Sequence, residues 1–370
     1  MEEITIKLPA ASSLQRKLAL ILPAHNEEVV IAATVRSALA AGQDPQDIFV
    51  VSDGSIDTTV LIALLHLPWY NVYAQPQGGK AMAISNGIKH FDIVKRYRWV
   101  HIADADGVFS PSYFREIKNR LDESCVAATG HVQSLKGGWI SQYRTYEYTL
   151  GLEVMRRIQS FLGVIPVIPG ATCVFRTDII DQLDFSAPTI TEDMDLTIQI
   201  HRHKLGKIGY IPQAKAFTQD PKDFSDYYKQ ISRWYRGAWQ VLIHHKVGLR
   251  PHKIDAYMGY MILAEVILVL ELTLLPFFAW WGQNYAPLAL MFLNDMVIFF
   301  LFTVWSAGLN RRADIIAAFP LFYILRFVNL FVFFKSWYEI VVQKKFSSAQ
   351  PGWTTAGRRY RIVNPAVASN

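Results

Sequence analysis

The sequence predicts an α/β domain followed by a C-terminal α-helical membrane region. Two observations lead to this prediction. Over residues 18–103, short apolar runs alternate with segments of helical periodicity, which is the rhythm of a parallel, doubly wound sheet. Residues 257–338 are dominated by Leu, Ile, Val, Phe and Trp, and they contain three stretches long enough to span a membrane. The 370 residues of the chain are enough for two domains of this kind.

Each predicted strand of the first hundred residues has an apolar run, and a helix is expected after each of the first three. The strands are expected at 18–22, 48–51, 72–74 and 99–103. The helices are expected at 27–41, where Gly42 stops the pattern, and at 57–65 and 80–91. Ligands of doubly wound sheets bind outside the carboxyl ends of the strands, so the polar residues that follow the strands are candidate site residues.

The membrane stretches are expected at 257–281, 285–305 and 316–338. Charged residues interrupt all three, namely Glu265, Glu271, Asp295 and Arg326. Such residues usually face protein or water rather than lipid. A buried helical domain of a soluble protein is the alternative. Aromatic pairs at Trp280-Trp281 and Trp337-Tyr338, with basic clusters beside the stretches, favour the membrane.

The net charge of +6 does not indicate nucleic-acid binding, because the basic residues cluster beside the apolar stretches. Such clusters are expected on the cytoplasmic side of a membrane. We therefore expect a cytoplasmic domain with interfacial helices at 1–240, a membrane region at 241–345 and a basic tail at 346–370. The first two stretches should form a hairpin, and the third should be re-entrant or interfacial, leaving the C-terminus cytoplasmic.

The compartment of the N-terminal domain follows from two further features. The apolar stretch Leu18–Ala24 is too short for a signal peptide, so this domain is expected to stay in the cytoplasm. Cys125 and Cys173 lack metal-ligand spacing, and they are expected to be buried thiols in a reducing compartment.

Asp104 and Asp106 are the first candidate site residues. Two carboxylates two positions apart, just past a strand, can converge on one hard cation such as Mg²⁺ or Mn²⁺. The motif is weak alone, because an acidic turn in solvent has the same pattern. Asp53 follows another buried run and can accept hydrogen bonds from a base or ribose. Lys80, after Gly78-Gly79, can contact a diphosphate, although an ordinary loop lysine is the alternative.

Two more motifs lie further along the chain. Thr191-Glu192-Asp193 opens a predicted helix, where the acidic residues either complement the helix dipole or supply a general base. Gln230-Ile231-Ser232-Arg233-Trp234 places a guanidinium suited to phosphate beside an aromatic ring suited to a sugar. An amphipathic helix at the membrane surface is the other interpretation of that segment, and both can hold together.

In this order, the motifs resemble the family 2 glycosyltransferases, over roughly residues 18–240. The similarity is greatest to the membrane-integrated branch with cellulose, chitin, hyaluronan and poly-N-acetylglucosamine synthases. The segments that carry the resemblance are Pro-Ala-His-Asn-Glu-Glu, Ser-Asp-Gly-Ser, Gly-Lys-Ala, Asp-Ala-Asp, Thr-Glu-Asp and Gln-x-x-Arg-Trp. The resemblance implies the A-type (Rossmann-like) glycosyltransferase fold.

The resemblance also implies roles for individual residues. Residues on the nucleotide-sugar side would be Glu27, Asp53, Lys80, Asp104 and Arg233. The metal would be held by Asp106 together with Asp104, and the catalytic group would comprise Asp193 as the base, Glu192 and Asp106. Residues on the acceptor side would be Gln230, Trp234 and Gly170.

The resemblance implies inverting transfer of a sugar from a nucleotide-diphosphate sugar, with UDP as the expected nucleotide, to a growing β-linked polysaccharide. Transfer of one sugar to a membrane lipid is the alternative, and product length would separate the two. Ser52 stands where many relatives have a second aspartate, and three C-terminal stretches are fewer than in the largest polymer synthases. Membrane lipids and an additional membrane subunit are therefore expected partners.

Overall fold

The structure is a computed structural model that describes residues 16–345. The predicted basic tail, 346–370, lies outside the described residues.

An eight-stranded sheet forms the centre of the N-terminal domain, in the order β3-β2-β1-β4-β7-β6-β8-β5. The strands are β1 Arg16–Ala24, β2 Ile48–Asp53, β3 Val72–Gln75, β4 Tyr97–Ile102, β5 Val108–Phe109, β6 Cys125–Ser134, β7 Cys173–Arg176 and β8 Lys207–Thr218. The first four strands are parallel, as predicted. The other half is mixed, because β7 runs antiparallel to both β4 and β6. The expectation of a parallel sheet is therefore right only for the N-terminal half.

The helices surround this sheet and then continue beyond it. They are α1 Ile31–Ala40, α2 Thr59–Leu64, α3 Lys80–His90, α4 Ile93–Arg96, α5 Tyr113–Arg120, α6 Trp139–Tyr148, α7 Arg156–Leu162, α8 Glu192–Arg202, α9 Phe224–His244, α10 Lys253–Trp281, α11 Ala286–Asn310, α12 Asp314–Ala317 and α13 Phe319–Trp337. A π-helical segment, Thr149–Met155, joins α6 to α7, and another, Tyr338–Val342, extends α13. Helix α1 begins later than predicted, because residues 27–30 form a turn closed by the Glu27 carbonyl.

Successive side chains along the central strands point to opposite faces of the sheet, so a hydrophobic core forms on each face. On β1, Leu20 and Leu22 pack with the cluster that contains α1, whereas Ile21 packs with the cluster that contains α3. Every residue of β2 is buried. Each large aliphatic side chain buried in this way contributes roughly 1.5–3 kcal/mol. The two packed faces therefore fix the carboxyl ends of β1, β2 and β4 at one edge of the sheet.

Three helices are long and apolar enough to span a membrane: α10, α11 and α13 with its π-helical extension. They match the three predicted stretches. Between them, Arg326 of α13 forms a two-pronged ion pair with Asp295 of α11, with both N–O distances at 2.9 Å. Arg326 therefore faces protein, as expected.

Helix α13 lies alongside α9. The hydroxyl of Tyr227 donates to Asn329 at 2.6 Å, and Arg236 pairs with Glu339 at 2.7 Å. Residues 319–337 form one unbroken helix. An unbroken helix is not the shape of a re-entrant turn, and a position of this helix at the membrane interface stays a prediction.

Candidate active site

Asp53 organises the loop that precedes α3. Its carboxylate is buried and accepts the backbone N–H groups of Gly78 and Gly79, each at 2.8 Å, and the side-chain amide of Gln75 at 2.8 Å. These bonds hold the glycine loop against the end of β2. Nucleotide binding by Asp53 stays a prediction, and the contacts in this structure assign it the anchoring of the loop.

Lys80, the first residue of α3, lies at the centre of a group of carboxylates. Its ammonium is 2.6 Å from Asp104 and 2.5 Å from Glu192. Burial alone would lower the pKa of Lys80. The carboxylates of Asp104, Glu192 and Asp193 outweigh it and raise the pKa well above its usual value. Lys80 is therefore a fixed positive charge that joins the turn after β4 to the start of α8.

The Asp-x-Asp turn follows β4 directly, as predicted. Asp106 is buried, whereas the side chain of Asp104 retains 36% of its exposure. Asp104 already attracts one cation, the ammonium of Lys80. The two carboxylates supply the oxygen donors that Mg²⁺ or Mn²⁺ prefers, so this donor set fits a divalent metal.

Glu192 and Asp193 begin α8, and Thr191 precedes them without a side-chain capping bond. The carboxylate of Asp193 accepts the N–H of Gly170 at 3.2 Å and the N–H of Met194 at 2.8 Å. Its pKa is raised to about 6, chiefly by burial and then by the charge of Glu192, against the opposing charge of Lys80. A carboxylate with a pKa near neutrality is suited to general-base work.

Gly170 lies in the same group rather than apart from it. A Cβ atom at this position would lie 3.0 Å from the Lys80 ammonium and 3.1 Å from an oxygen of Asp104. The absence of a side chain therefore lets the loop come close to both groups. The structure brings together Lys80, Asp104, Glu192, Asp193 and Gly170, which the sequence analysis had assigned to three different roles.

Gln230 and Trp234 are held by a residue that no motif contains. Arg144 of α6 donates to the side-chain oxygen of Gln230 at 2.8 Å, and its guanidinium lies 4.6 Å from the centre of the Trp234 ring. A second ring, that of Tyr227, is 4.8 Å away. One face of the Trp234 ring is therefore covered by Arg144.

Arg233 differs from its neighbours. Its Nε is buried without a hydrogen-bond partner, and within residues 16–345 the guanidinium makes no hydrogen bond or ion pair.

Glu27 is buried in the turn after β1, where its N–H donates to Thr59 at 2.8 Å.

Sequence reasoning missed four polar residues near α9. Arg144 and Glu147 lie on α6, Asp220 precedes α9, and Asn329 lies on α13. Arg144 pairs with Glu147 at 2.8 Å, and Glu147 accepts from Asn329 of α13 at 2.9 Å. Burial raises the pKa of Asp220 to about 7. Each is a single polar residue outside any recognisable pattern, so no sequence signal identified it.

Helices α8 and α9 come into direct contact beside this group. A Cβ atom at Gly237 of α9 would lie only 2.3 Å from a methyl carbon of Thr191. The helix that carries Gln230, Arg233 and Trp234 is thus packed against the turn that carries Glu192 and Asp193.

Curated relatives match about three fifths of the chain. The poly-beta-1,6-N-acetyl-D-glucosamine synthase of Staphylococcus aureus (strain COL) is 28% identical over 231 residues, which are 60% of this chain and 55% of the relative. The enzyme of the same name from Staphylococcus epidermidis is 26% identical over 234 residues, covering 61% of this chain and 55% of the relative. The chain thus spans about half the length of the curated relatives it matches.

A solved structure shares the fold. A mannosyltransferase from Pyrobaculum calidifontis in complex with GDP-Man and Mn²⁺ superposes with a TM-score of 0.58 at 17% identity, covering 84% of this chain and 87% of that chain. The sequence profile described as "Glycosyltransferase like family 2" matches residues 15–237, a segment that contains all the motifs described above. The chain therefore belongs to the family 2-like glycosyltransferases.

Proposed function

We propose that this chain is an inverting glycosyltransferase that moves sugars from a nucleotide-diphosphate sugar onto a growing β-linked polysaccharide at the membrane. The observation that carries the proposal is the convergence of Lys80, Asp104 and Asp193 at the carboxyl edge of the sheet, with α9 packed beside them. This arrangement supplies a cation for a diphosphate and a base for a hydroxyl group within one site.

Asp193 is the proposed base. Its carboxylate takes the proton of the acceptor hydroxyl as that oxygen forms a bond to the anomeric carbon of the donor. The bond from that carbon to the diphosphate oxygen breaks in the same step, and the nucleoside diphosphate leaves with the electron pair. Attack from the opposite side inverts the anomeric carbon, so an α-linked donor gives a β-linked product. The Gly170 N–H keeps the carboxylate oriented.

Lys80 and Arg233 are proposed to bind the diphosphate. Lys80 is already placed by two carboxylates, and Arg233 has no competing ion pair within the described residues. Fixed positive charge of this kind stabilises the negative charge that develops on the leaving group.

Asp104 and Asp106 would hold Mg²⁺ or Mn²⁺, which neutralises diphosphate charge when bound. The fit rests on the oxygen donor set and on the cation that Asp104 already attracts. The mannosyltransferase of similar fold was solved with Mn²⁺, which agrees with this proposal.

Polymer synthesis is favoured by the relatives, both of which are named as synthases of a β-linked polysaccharide. We propose a multi-pass cell-membrane protein whose N-terminal domain faces the cytoplasm, where nucleotide sugars are made. The acceptor is then the end of a glycan chain, which Gln230 and Trp234 would contact. Membrane lipids surround α10 and α11, and a further membrane subunit remains a proposed partner.

The test is to incubate membranes that contain the full chain with a panel of radiolabelled UDP- and GDP-sugars and Mn²⁺, and then to size the product. A long β-linked product from one donor is the expected result. A product with a single sugar on a lipid would show that the acceptor is a lipid and not a polysaccharide. The absence of transfer from every donor would contradict the proposal.

Metal dependence is tested in the same assay. Excess chelator and Asp106→Ala should each abolish transfer, and added Mn²⁺ should restore only the chelated wild type. Asp122→Ala, at an exposed carboxylate after α5, is the matched control and should keep full activity.

A further inference from the structure

A second group of metal-ligating side chains lies at the junction of α8, α9 and α10. Asp195, His244 and His245 each present one ligand atom, and these atoms lie within 4.8 Å of one another. His244 is the last residue of α9 and His245 follows it, whereas Asp195 lies in the first turn of α8. No step of the proposed reaction uses any of the three.

This group is separate from the Asp104 and Asp106 pair. Asp195 follows Asp193 by two residues, and two residues of an α-helix turn through about 200°. Its side chain therefore leaves α8 on nearly the opposite side from the base. Along α9, His244 is ten residues beyond Trp234, which is about 15 Å of helix.

The carboxylate of Asp195 is already oriented as a ligand would be. One oxygen is 2.8 Å from the Nε2 atom of His245, and the other accepts the side-chain amide of Gln199 at 2.6 Å. A hydrogen bond such as the one from Gln199 fixes the orientation of a metal-bound carboxylate. Asp195 is buried, His245 is partly buried and His244 is exposed, so the site is anchored in the protein and open on one side.

We propose that Asp195, His244 and His245 form a zinc site that ties the start of α8 to the end of α9. Two imidazoles and one carboxylate suit Zn²⁺, which takes such ligands at about 2.0–2.1 Å in tetrahedral geometry. Two ligand atoms of one tetrahedral Zn²⁺ are then about 3.3 Å apart. The 2.8 Å separation of His245 and Asp195 therefore needs to open by only a fraction of an ångström.

Binding exchanges a proton for the metal. The proton shared by His245 and Asp195 leaves to solvent, and His245 Nε2 and the Asp195 oxygen then bind Zn²⁺ with their electron pairs. Metal sites of this type bind more weakly at low pH, since protons compete for the imidazoles. The exposed fourth position is left to water. The C-terminal end of α9 also carries partial negative charge, which favours a cation.

The position of the site gives the metal a mechanical consequence. Helix α8 carries Asp193, and α9 carries Arg233 and Trp234. The same junction contains the buried ion pair between Arg202 of α8 and Asp255 of α10, at 2.6 Å. Zinc would therefore lock the helix of the base to the diphosphate-binding helix, next to the ion pair that joins α8 to the first candidate membrane helix.

Zinc binding to the purified, metal-free full chain tests the site without any transfer assay, so its failure would not bear on the proposed function. Zn²⁺ is titrated against a chromophoric chelator, and Co²⁺ is used as a spectroscopic probe of tetrahedral coordination. One tight Zn²⁺, a rise in Tm and an intense visible Co²⁺ spectrum are expected. The titration should release a proton and weaken as pH falls.

Variants separate this site from the rest of the chain. His244→Ala removes an exposed side chain, so folding should be kept while zinc affinity falls at least about tenfold. His203→Ala, at an exposed histidine after α8, should leave affinity unchanged. Asp106→Ala should also retain the zinc. Equal zinc affinity in wild type and His244→Ala, or a Co²⁺ spectrum without tetrahedral character, would overturn the assignment.

Discussion

The carboxylate of Asp193 is held by the backbone N–H of Gly170 at 3.2 Å. This contact joins the loop before β7 to the first turn of α8, and it fixes the direction in which the proposed base faces. Because Gly170 has no side chain, the loop can also lie close to Lys80 and Asp104. The site thus depends on backbone placement as much as on its charged side chains.

Asp193→Asn should remove most transfer while donor binding is kept. Asparagine is nearly isosteric with aspartate but cannot take the acceptor proton, and a general base typically contributes about 10²–10⁴-fold. Transfer rate and donor affinity, measured separately, check this. An Asp193→Asn enzyme with more than about a tenth of the wild-type rate would exclude Asp193 as the base.

The pH profile should report the same residue. The base acts as a carboxylate, and the pKa of Asp193 is raised to about 6, so kcat/KM should fall as pH drops through about 6. The charge of Glu192 raises this pKa, so Glu192→Gln should move the acidic limb to lower pH. A limb that stays in place in Glu192→Gln would assign the titration to another group.

Arg144→Lys should impair use of the acceptor more than use of the donor. Lysine keeps the charge but loses the planar group that contacts both Gln230 and Trp234. Loss of one charge-assisted hydrogen bond is worth about 1.5–3 kcal/mol, or roughly ten- to a hundredfold. Acceptor KM should rise with donor KM unchanged, whereas Arg115→Lys, at an exposed position, should change neither. Equal effects on the two substrates would refute this positioning role.

Gly237→Ala should disturb the contact between α8 and α9. The new methyl group would overlap with Thr191, and such overpacking typically costs about 1–3 kcal/mol. Thermal unfolding should show a lower Tm together with lower activity. Gly151→Ala is the matched control, because a Cβ atom there meets nothing within 4 Å. If the Gly237→Ala protein were as stable and active as the control, close packing of α9 against Thr191 would not be needed for stability or activity.

The C-terminus should be cytoplasmic if α13 lies at the membrane interface. A single-cysteine tag at position 370 should therefore resist an impermeant thiol reagent added to intact cells, and it should react after the cells are opened. A cysteine placed in the short turn between α10 and α11 is the positive control and should be labelled from outside. Labelling of the tag in intact cells would establish three full crossings.

The elements and motifs that depend on local sequence were predictable. The strand expected at 48–51 is β2, and the helix expected at 80–91 is α3, because apolar periodicity and glycine punctuation are local signals. The burial of Cys125 and Cys173 is likewise confirmed.

What escaped prediction depends on distant partners. Arg144 has no sequence signal, because the Gln230 that it holds lies 86 residues away. The antiparallel placement of β7 is set by its pairing with β4 and β6 rather than by its own residues. The contacts of the Asp53 carboxylate with the glycine loop also had no sequence signal, because a buried carboxylate looks the same in sequence whether it binds a loop or a ligand.

The ion pair between Asp295 and Arg326 has a consequence for how the chain is made. Asp295 lies within α11, and the arginine that neutralises it is synthesised 31 residues later. An aspartate alone near the centre of a bilayer is unfavourable by about 2.5–3.5 kcal/mol on insertion scales. Neutralisation of Asp295 by this partner therefore has to wait until α13 has been made. Because α13 also packs on α9, the helix that neutralises Asp295 is also the one that joins α11 to the N-terminal domain.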